Sequence, residues 1–121
     1  MSLRVLAVDD SRTIRELVGL TLTEAGFEVH LAEDGEHGLE VLAGAAPDVI
    51  LTDINMPKLD GFGFIKKVKS QSQYSDTPIL VLTTESSDGL KARARDAGAT
   101  GWIVKPFDGA KLVRALELVS D

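Results

Sequence analysis

Short apolar segments alternate with amphipathic segments along the whole chain. The apolar segments show little of the polar-apolar alternation that marks a half-exposed strand, so they predict strands buried on both faces of a sheet. The predicted strands are residues 5–8, 29–32, 49–51, 79–82 and 103–104.

The segments between these strands have the apolar spacing of α-helices. The first predicted helix ends at Gly26 and the fourth, residues 88–97, ends at Gly98, since glycine is typical just past a helix end. A weaker pattern around residues 37–43 predicts the second helix. The apolar stripes of the other helices are residues 14, 17, 18, 21, 22 and 25 in the first, 64, 65 and 68 in the third, and 112, 115, 116 and 119 in the fifth.

This alternation of strands and helices predicts an α/β fold with a five-stranded parallel sheet, because parallel strands need a crossover connection. Five units are too few for an eight-stranded barrel, which leaves an open, doubly wound sheet. We expect the flavodoxin-like strand order 2-1-3-4-5, adopted from known sheets of this kind rather than derived from the residues. The polar residues 70–77 predict a solvated loop before the fourth strand.

The composition fits one globular domain. The chain has 121 residues, of which 44% are hydrophobic and 26% are charged, and we expect a single domain over residues 1–121 with no effector domain. Cysteine is absent, which excludes disulfides, thiolate metal sites and cysteine nucleophiles.

The charge and hydropathy limit the partners. The formal net charge of −6 has the wrong sign for binding a nucleic-acid backbone. No apolar run approaches the roughly 18 residues of a membrane span, and no leader pattern opens the sequence. We therefore expect a soluble, cytoplasmic monomer that neither inserts into a membrane nor binds nucleic acid.

Polar side chains follow the predicted strands directly. Asp9 and Asp10 come after the first strand, Asp53 after the third, Thr83 after the fourth and Lys105 after the fifth. Open parallel sheets bind ligands at the carboxyl ends of their strands, where the strand order reverses. If the first and third strands are neighbours, the three carboxylates meet in one crevice.

Three neighbouring carboxylates repel one another. At about 4 Å and an effective dielectric of about 20, each pair costs about 4 kcal/mol. Either the groups protonate with raised pKa values, or a hard divalent cation binds them. Mg2+ suits such oxygens, and together with Lys105 it would balance their charge and leave room for a phosphoryl group.

Each residue also has a purely structural interpretation. Asp10 or the next residue could cap the first helix, Asp53 could belong to a turn, and Lys105 could be a solvated loop charge. Their common placement at one edge of the sheet favours a functional site. His30 and His37 are expected to lack partners and are assigned no ligand role.

The motifs around these residues resemble those of a known family. The segments are VDDS at residues 8–11, TDINMPKLDG at 52–61, TTE at 83–85 and AGATGWIVKPF at 97–107. In this order they are similar to the receiver domain of two-component response regulators, over nearly the whole chain. The similarity is strongest to the single-domain chemotaxis regulators.

The resemblance implies a role for each matching position. Asp53 would be the phosphoacceptor. Asp9 and Asp10 would hold Mg2+, Asp10 directly, together with Asp53 and the backbone carbonyl of Asn55. Lys105 would pair with the phosphoryl oxygens, and its bond to the following proline would be cis.

The resemblance also implies switch residues. Thr83 would bond to the phosphoryl group, and the aromatic residue of the fifth strand, here Trp102, would respond by turning inward. Tyr or Phe is more usual there, and an indole N–H cannot reproduce the bonding of a phenol. We expect Trp102 to respond nevertheless, the alternative being that it only packs on the sheet edge. Asn55 and Glu85 resemble positions that tune dephosphorylation.

The implied function is a phosphorylation-activated response regulator. It would accept a phosphoryl group from the phosphotransfer domain of a chemotaxis-type histidine kinase, and catalyse only its own phosphorylation and dephosphorylation. Its output partner would be a flagellar motor switch protein or another output protein. The alternatives within this class are a phosphorelay intermediate and a phosphate sink.

Two other classes share parts of the pattern. A Mg-dependent aspartyl phosphatase of the haloacid dehalogenase type would need its nucleophile after the first strand and a second Asp where Asn55 stands. An FMN carrier of the flavodoxin type would need a phosphate-binding loop rich in Gly, Ser or Thr after the first strand, where the sequence has carboxylates instead.

Overall fold

The chain folds into a parallel sheet flanked by helices. The computed structural model describes residues 3–120. A 3-10 helix, Ser72–Tyr74, lies between the third helix and the fourth strand. The main elements are β1 (Arg4–Val8), α1 (Arg12–Glu24), β2 (Glu28–Ala32), α2 (Gly35–Ala45), β3 (Val49–Thr52), α3 (Gly61–Lys69), β4 (Ile79–Thr83), α4 (Asp88–Ala97), β5 (Gly101–Val104) and α5 (Gly109–Ser120).

The strand order is β2-β1-β3-β4-β5, and every pair is parallel. The predicted doubly wound fold and its order are therefore confirmed. The register matters for the site, because Val8 at the end of β1 lies beside Thr52 at the end of β3. The next residues, Asp9 and Asp53, consequently leave the sheet side by side.

Two hydrophobic cores cover the faces of the sheet. Leu42 of α2, Phe64 of α3 and Ala94 of α4 pack in one core, against one face. Leu22 of α1 and Leu116 of α5 pack in the other core, against the opposite face. The helices on both faces leave the carboxyl end of the sheet open for a site.

The prediction that all five strands are buried on both faces is wrong for the two edge strands. β1, β3 and β4 are buried almost throughout, apart from Arg4. In β2, Glu28 and Leu31 are exposed, and β5 contains no fully buried residue. An edge strand has a neighbour on one side only, so the helices cover it less completely.

The predicted solvated loop at residues 70–77 is anchored more firmly than expected. The Tyr74 side chain is buried, and its hydroxyl donates to the carbonyl of Leu42 at 3.3 Å. The Lys69 ammonium donates to the carbonyl of Ser75 at 3.2 Å. A single aromatic residue in a polar stretch thus fixes the loop on the core.

Residues with positive φ end three of the helices. Gly26 and Gly98 have φ values of 94° and 121°, which agrees with their predicted place just past α1 and α4. Ala46 ends α2 with φ 42° and ψ 58°, in the left-handed region that favours glycine. Among the described residues, no helix combines the length and the apolar composition needed to cross a bilayer.

Replacing Ala46 by glycine should stabilise the protein. The left-handed conformation costs an L-residue about 1–2 kcal/mol, and the gain is partly offset because glycine is freer in the unfolded chain. The Ala46 side chain is exposed, so no packing is lost. We expect Ala46→Gly to raise the free energy of unfolding, measured by urea denaturation, by up to about 1 kcal/mol.

The matched control is Ala43→Gly, an exposed position inside α2. There glycine should lower the free energy of unfolding by about 1 kcal/mol. Equal destabilisation by both substitutions would contradict the strain at Ala46.

Candidate functional site

Three carboxylates meet at the carboxyl end of the sheet. Asp9, Asp10 and Asp53 each offer an oxygen, and these oxygens all lie within 4.8 Å of one another. Asp9 and Asp53 are buried, with 6% and 8% of their surface exposed, whereas Asp10 is exposed. The structure thus brings together the acidic residues that the strand ends predicted.

The turn between β1 and α1 positions the first two carboxylates. The Asp9 N–H donates to the carbonyl of Ala32 at 3.1 Å, and the Asp9 carboxylate accepts from the Ser11 N–H at 2.9 Å. The Ser11 hydroxyl caps α1 by accepting from the Ile14 N–H at 3.3 Å. Because Ser11 is the cap, the Asp10 side chain remains available at the surface.

The Asp53 carboxylate is held by the backbone after β3. The backbone N–H of Asp53 donates to the carbonyl of Val8 at 2.9 Å, and the Oδ1 atom of its side chain accepts from the Ile54 N–H at 2.6 Å. Gly61, at the start of α3, donates its N–H to the Ile54 carbonyl at 2.8 Å. A Cβ atom at position 61 would collide with the Asp53 carbonyl and with the Ile54 backbone, so only glycine fits there.

Lys105 enters this cluster from the end of β5. Its ammonium donates to Asp9 Oδ2 at 2.7 Å and to Asp53 Oδ2 at 2.9 Å, and only 9% of the side chain is exposed. The Lys105 N–H donates to the carbonyl of Thr83 at 2.7 Å, and the bond to Pro106 is cis, as the resemblance implied. Lys105 is therefore a buried ion-pair partner and not a solvated loop charge.

Burial and ion pairing shift the ionisation of this pair. Burial raises the pKa of Asp9, although the hydrogen bond from Lys105 opposes the shift. Burial alone would lower the pKa of Lys105, but its bonds to Asp9 and Asp53 outweigh burial and raise that pKa. The Lys105 side chain is consequently a firmly protonated cation at neutral pH.

The donor set fits a hard divalent cation. When all four groups are ionised, three carboxylates and one ammonium leave two uncompensated negative charges. The available ligands are carboxylate oxygens, and Asp10 is exposed where a hydrated ion could approach. Oxygen ligands and retained water are what Mg2+ prefers, so the residues present suit this ion.

Glu85 contacts three further residues that the sequence predicted for the site. Its side chain accepts from the Asn55 amide at 3.4 Å, and its N–H donates to the buried Thr83 hydroxyl at 3.5 Å. Its carbonyl accepts from the Trp102 indole N–H at 2.8 Å. Trp102, which is half-buried, also packs against the core on the α2–α4 face. Its indole therefore has a polar partner as well as an apolar packing surface, and its response to phosphorylation stays a prediction.

The sequence did not predict the contact that Arg15 makes with this site. Its guanidinium Nη1 donates to the backbone carbonyl of Asp9 at 2.7 Å. A backbone carbonyl carries no sequence signature as an acceptor. The one available signal was the position of an arginine one turn after the predicted cap, on the helix that follows the first two carboxylates.

The two histidines were expected to have no partner, and that prediction is wrong. The His30 Nε2 atom lies 3.0 Å from a carboxylate oxygen of Glu28, because residues two apart on a strand share a face. The His37 Nδ1 atom accepts from the Glu33 N–H at 3.1 Å, near the start of α2. Neither contact involves the acidic cluster.

Comparison with known proteins supports one family. The family model for the response regulator receiver domain matches residues 5–117. The chain is 39% identical over 121 residues to the chemotaxis protein CheY1 of Helicobacter pylori, covering 97% of this chain and 96% of CheY1. Two further curated relatives, the response regulators MprA of Mycobacterium ulcerans and Mycobacterium bovis, are 41% and 40% identical over 88% of this chain, which spans only 45% and 46% of their length.

Solved structures give the same result. The chemotaxis protein CheY4 of Vibrio cholerae is 50% identical, with a TM-score of 0.94 over 98% of this chain and 99% of that chain. The receiver domain of the sensor histidine kinase PA1611 from Pseudomonas aeruginosa is 27% identical, with a TM-score of 0.91 over 99% of this chain and 98% of its own. In that domain, a magnesium ion is coordinated in the active-site cleft.

These matches set aside the phosphatase and flavin-carrier alternatives. The nucleophile candidate follows β3 rather than β1, and the matched segment contains the acidic cluster and Lys105. The chain belongs to the family of response regulator receiver domains.

Proposed function

We propose that this chain is a phosphorylation-activated response regulator whose phosphoacceptor is Asp53. The observation that carries the proposal is the contact of the Lys105 ammonium with both Asp9 and Asp53, beside the exposed carboxylate of Asp10. A nucleophilic carboxylate next to a fixed cation and an oxygen-rich metal site is suited to phosphoryl transfer.

The chemistry follows from the two oxygens of Asp53. Oδ1 is held by the Ile54 N–H, which orients the carboxyl plane. An Asp53 oxygen attacks the phosphorus of a phosphohistidine on the kinase's phosphotransfer domain. The new P–O bond forms as the P–N bond breaks, and the imidazole leaves. Lys105 then pairs with the phosphoryl oxygens.

Asp9, Asp10, Asp53 and the carbonyl of Asn55 would hold Mg2+ in this reaction. When bound, Mg2+ supplies positive charge beside the oxygens on which negative charge develops. The magnesium ion in the cleft of the PA1611 receiver domain supports this choice of metal.

The contacts of Glu85 suggest how the signal leaves the site. Thr83 would turn toward the phosphoryl oxygens, and its hydroxyl is the acceptor of the Glu85 N–H. The Glu85 carbonyl also accepts from the Trp102 indole N–H, so a shift of the loop after β4 would move a side chain of β5. The phosphoryl group would then change the populations of two arrangements of this face. Asn55 and Glu85 border the site and would tune the access of attacking water.

The similarity to CheY1 and CheY4 supports a role in chemotaxis for the proposed regulator. We propose that residues 1–121 act as a single receiver domain in the cytoplasm and signal by protein contact. A flagellar motor switch protein is the proposed target, and a phosphorelay or phosphate-sink role is the alternative outcome.

Asp53→Asn should abolish phosphorylation. The amide is a poor nucleophile and cannot form the acyl phosphate, so labelling by radioactive acetyl phosphate in Mg2+ should fall to background. The control is Asp60→Asn, which keeps the cap of α3 because asparagine caps as well as aspartate. Label at the original level in Asp53→Asn would refute the assignment.

Lys105→Met should separate phosphorylation from metal binding. Loss of a charge that stabilises the transferred group typically lowers such rates by about a hundredfold, whereas the metal ligands stay in place. We expect this loss in the labelling rate, while Mg2+ binding measured by calorimetry is retained or becomes tighter, because the ammonium no longer competes with the ion for Asp9 and Asp53. Lys111→Met, at an exposed position on α5, is the control and should label normally. Unchanged labelling in Lys105→Met would contradict its role.

As the pH is lowered, the affinity for Mg2+ should begin to fall at a higher pH than it would at a site made of ordinary aspartates. Burial raises the pKa of Asp9 above 3.8, and its proton competes with the ion. Affinity should be constant above the raised pKa and decline by up to about tenfold per pH unit below it. Calorimetry across this range tests the sign. The Asp9→Asn variant should bind Mg2+ weakly and should not show this pH-dependent decline. An affinity profile identical to that of the original protein would argue against Asp9 as a ligand.

A further inference from the structure

We propose that Arg15 is a positioning residue that fixes the Asp9–Asp10 peptide and so sets the affinity of the acidic cluster for Mg2+. The proposal rests on the function proposed above and adds a residue outside the metal ligands. Its basis is the 2.7 Å hydrogen bond from Arg15 Nη1 to the backbone carbonyl of Asp9.

All polar groups of Asp9 are engaged, and Arg15 holds the last of them. The N–H is bonded to the sheet through Ala32, and the carboxylate is bonded to Lys105 and to the Ser11 N–H. The carbonyl is bonded to Arg15. The guanidinium is a charged donor, and such bonds are stronger than neutral ones.

This carbonyl controls the residue that follows it. The peptide unit is planar, so holding the Asp9 oxygen also fixes the Asp10 nitrogen and Cα in the same plane. Asp10 is exposed, which means that no burial holds its side chain in place. The orientation of the peptide therefore fixes the place of the Asp10 Cα relative to Asp9 and Asp53, and with it the positions that the Asp10 carboxylate can reach.

The first turn of α1 gives Arg15 a rigid base. Its N–H donates to the carbonyl of Ser11 at 2.9 Å, within the capped turn, while its side chain reaches back to Asp9. Arg15, Asp9 and Asp53 also line the same cavity of about 10 Å3, so the arginine is adjacent to two of the carboxylates. A lysine would offer one point donor instead of a planar fork.

Arg15→Met, Arg15→Lys and the original protein would be compared by magnesium calorimetry without phosphodonor. We expect Arg15→Met to raise the Mg2+ Kd about tenfold, equivalent to about 1.4 kcal/mol, with Arg15→Lys in between. The labelling rate at saturating Mg2+ should fall much less than the affinity. The matched control is Arg12→Met, since Arg12 lies on the same helix with 84% of its side chain exposed.

A second measurement needs no metal. Amide hydrogen exchange at Ser11, whose N–H donates to the Asp9 carboxylate across the Asp9–Asp10 peptide, should accelerate in metal-free Arg15→Met and not in Arg12→Met, because only Arg15 restrains this peptide. If Arg15→Met does not fold, Arg15→Lys gives the same comparison with a smaller expected change.

The outcomes separate this role from the function on which it rests. Failure of the original protein to bind Mg2+ would overturn the proposed function. Normal binding in the original protein, with an unchanged Kd and unchanged Ser11 exchange in Arg15→Met, would overturn only the role of Arg15. A lower melting temperature with an unchanged Kd would show that Arg15 is merely structural, which also refutes the proposal.

Discussion

The Lys105 ammonium lies 2.7 Å from an oxygen of Asp9 and 2.9 Å from an oxygen of Asp53, so one cation joins the ends of three strands. Both carboxylates are almost fully buried, and two negative charges buried side by side would not persist without a counter-charge. The strand order makes the contact possible. β1 and β3 are neighbours, and the long lysine side chain spans from β5 at the sheet edge.

Much of this arrangement could be predicted from residue patterns. Buried parallel strands are nearly continuous apolar runs, which is why β1, β3 and β4 were recognised with little error. The carboxyl-end rule then predicts from the sequence that Asp9, Asp10 and Asp53 lie close together. The strand order came by analogy, because periodicity reports burial and not which strands are neighbours.

The rest depended on contacts that leave no mark in the pattern. Burial at the edge strands is set by how far the helices extend over them, so the exposure of Leu31 was not foreseen. The acceptors of Arg15, Trp102 and Tyr74 are backbone carbonyls, which every residue carries. Such partners follow only from the path of the chain.

The fit of Gly61 against the Asp53 carbonyl links the tolerance of one position to the chemistry of another. Any side chain introduced at the start of α3 must push on the peptide unit that carries the nucleophile. Mutational screens for stability and screens for signalling should therefore reject the same substitutions at this glycine. The packing constraint and the reactive centre share one point of the backbone, so the requirements of folding and of phosphorylation both restrict which residues position 61 can accept.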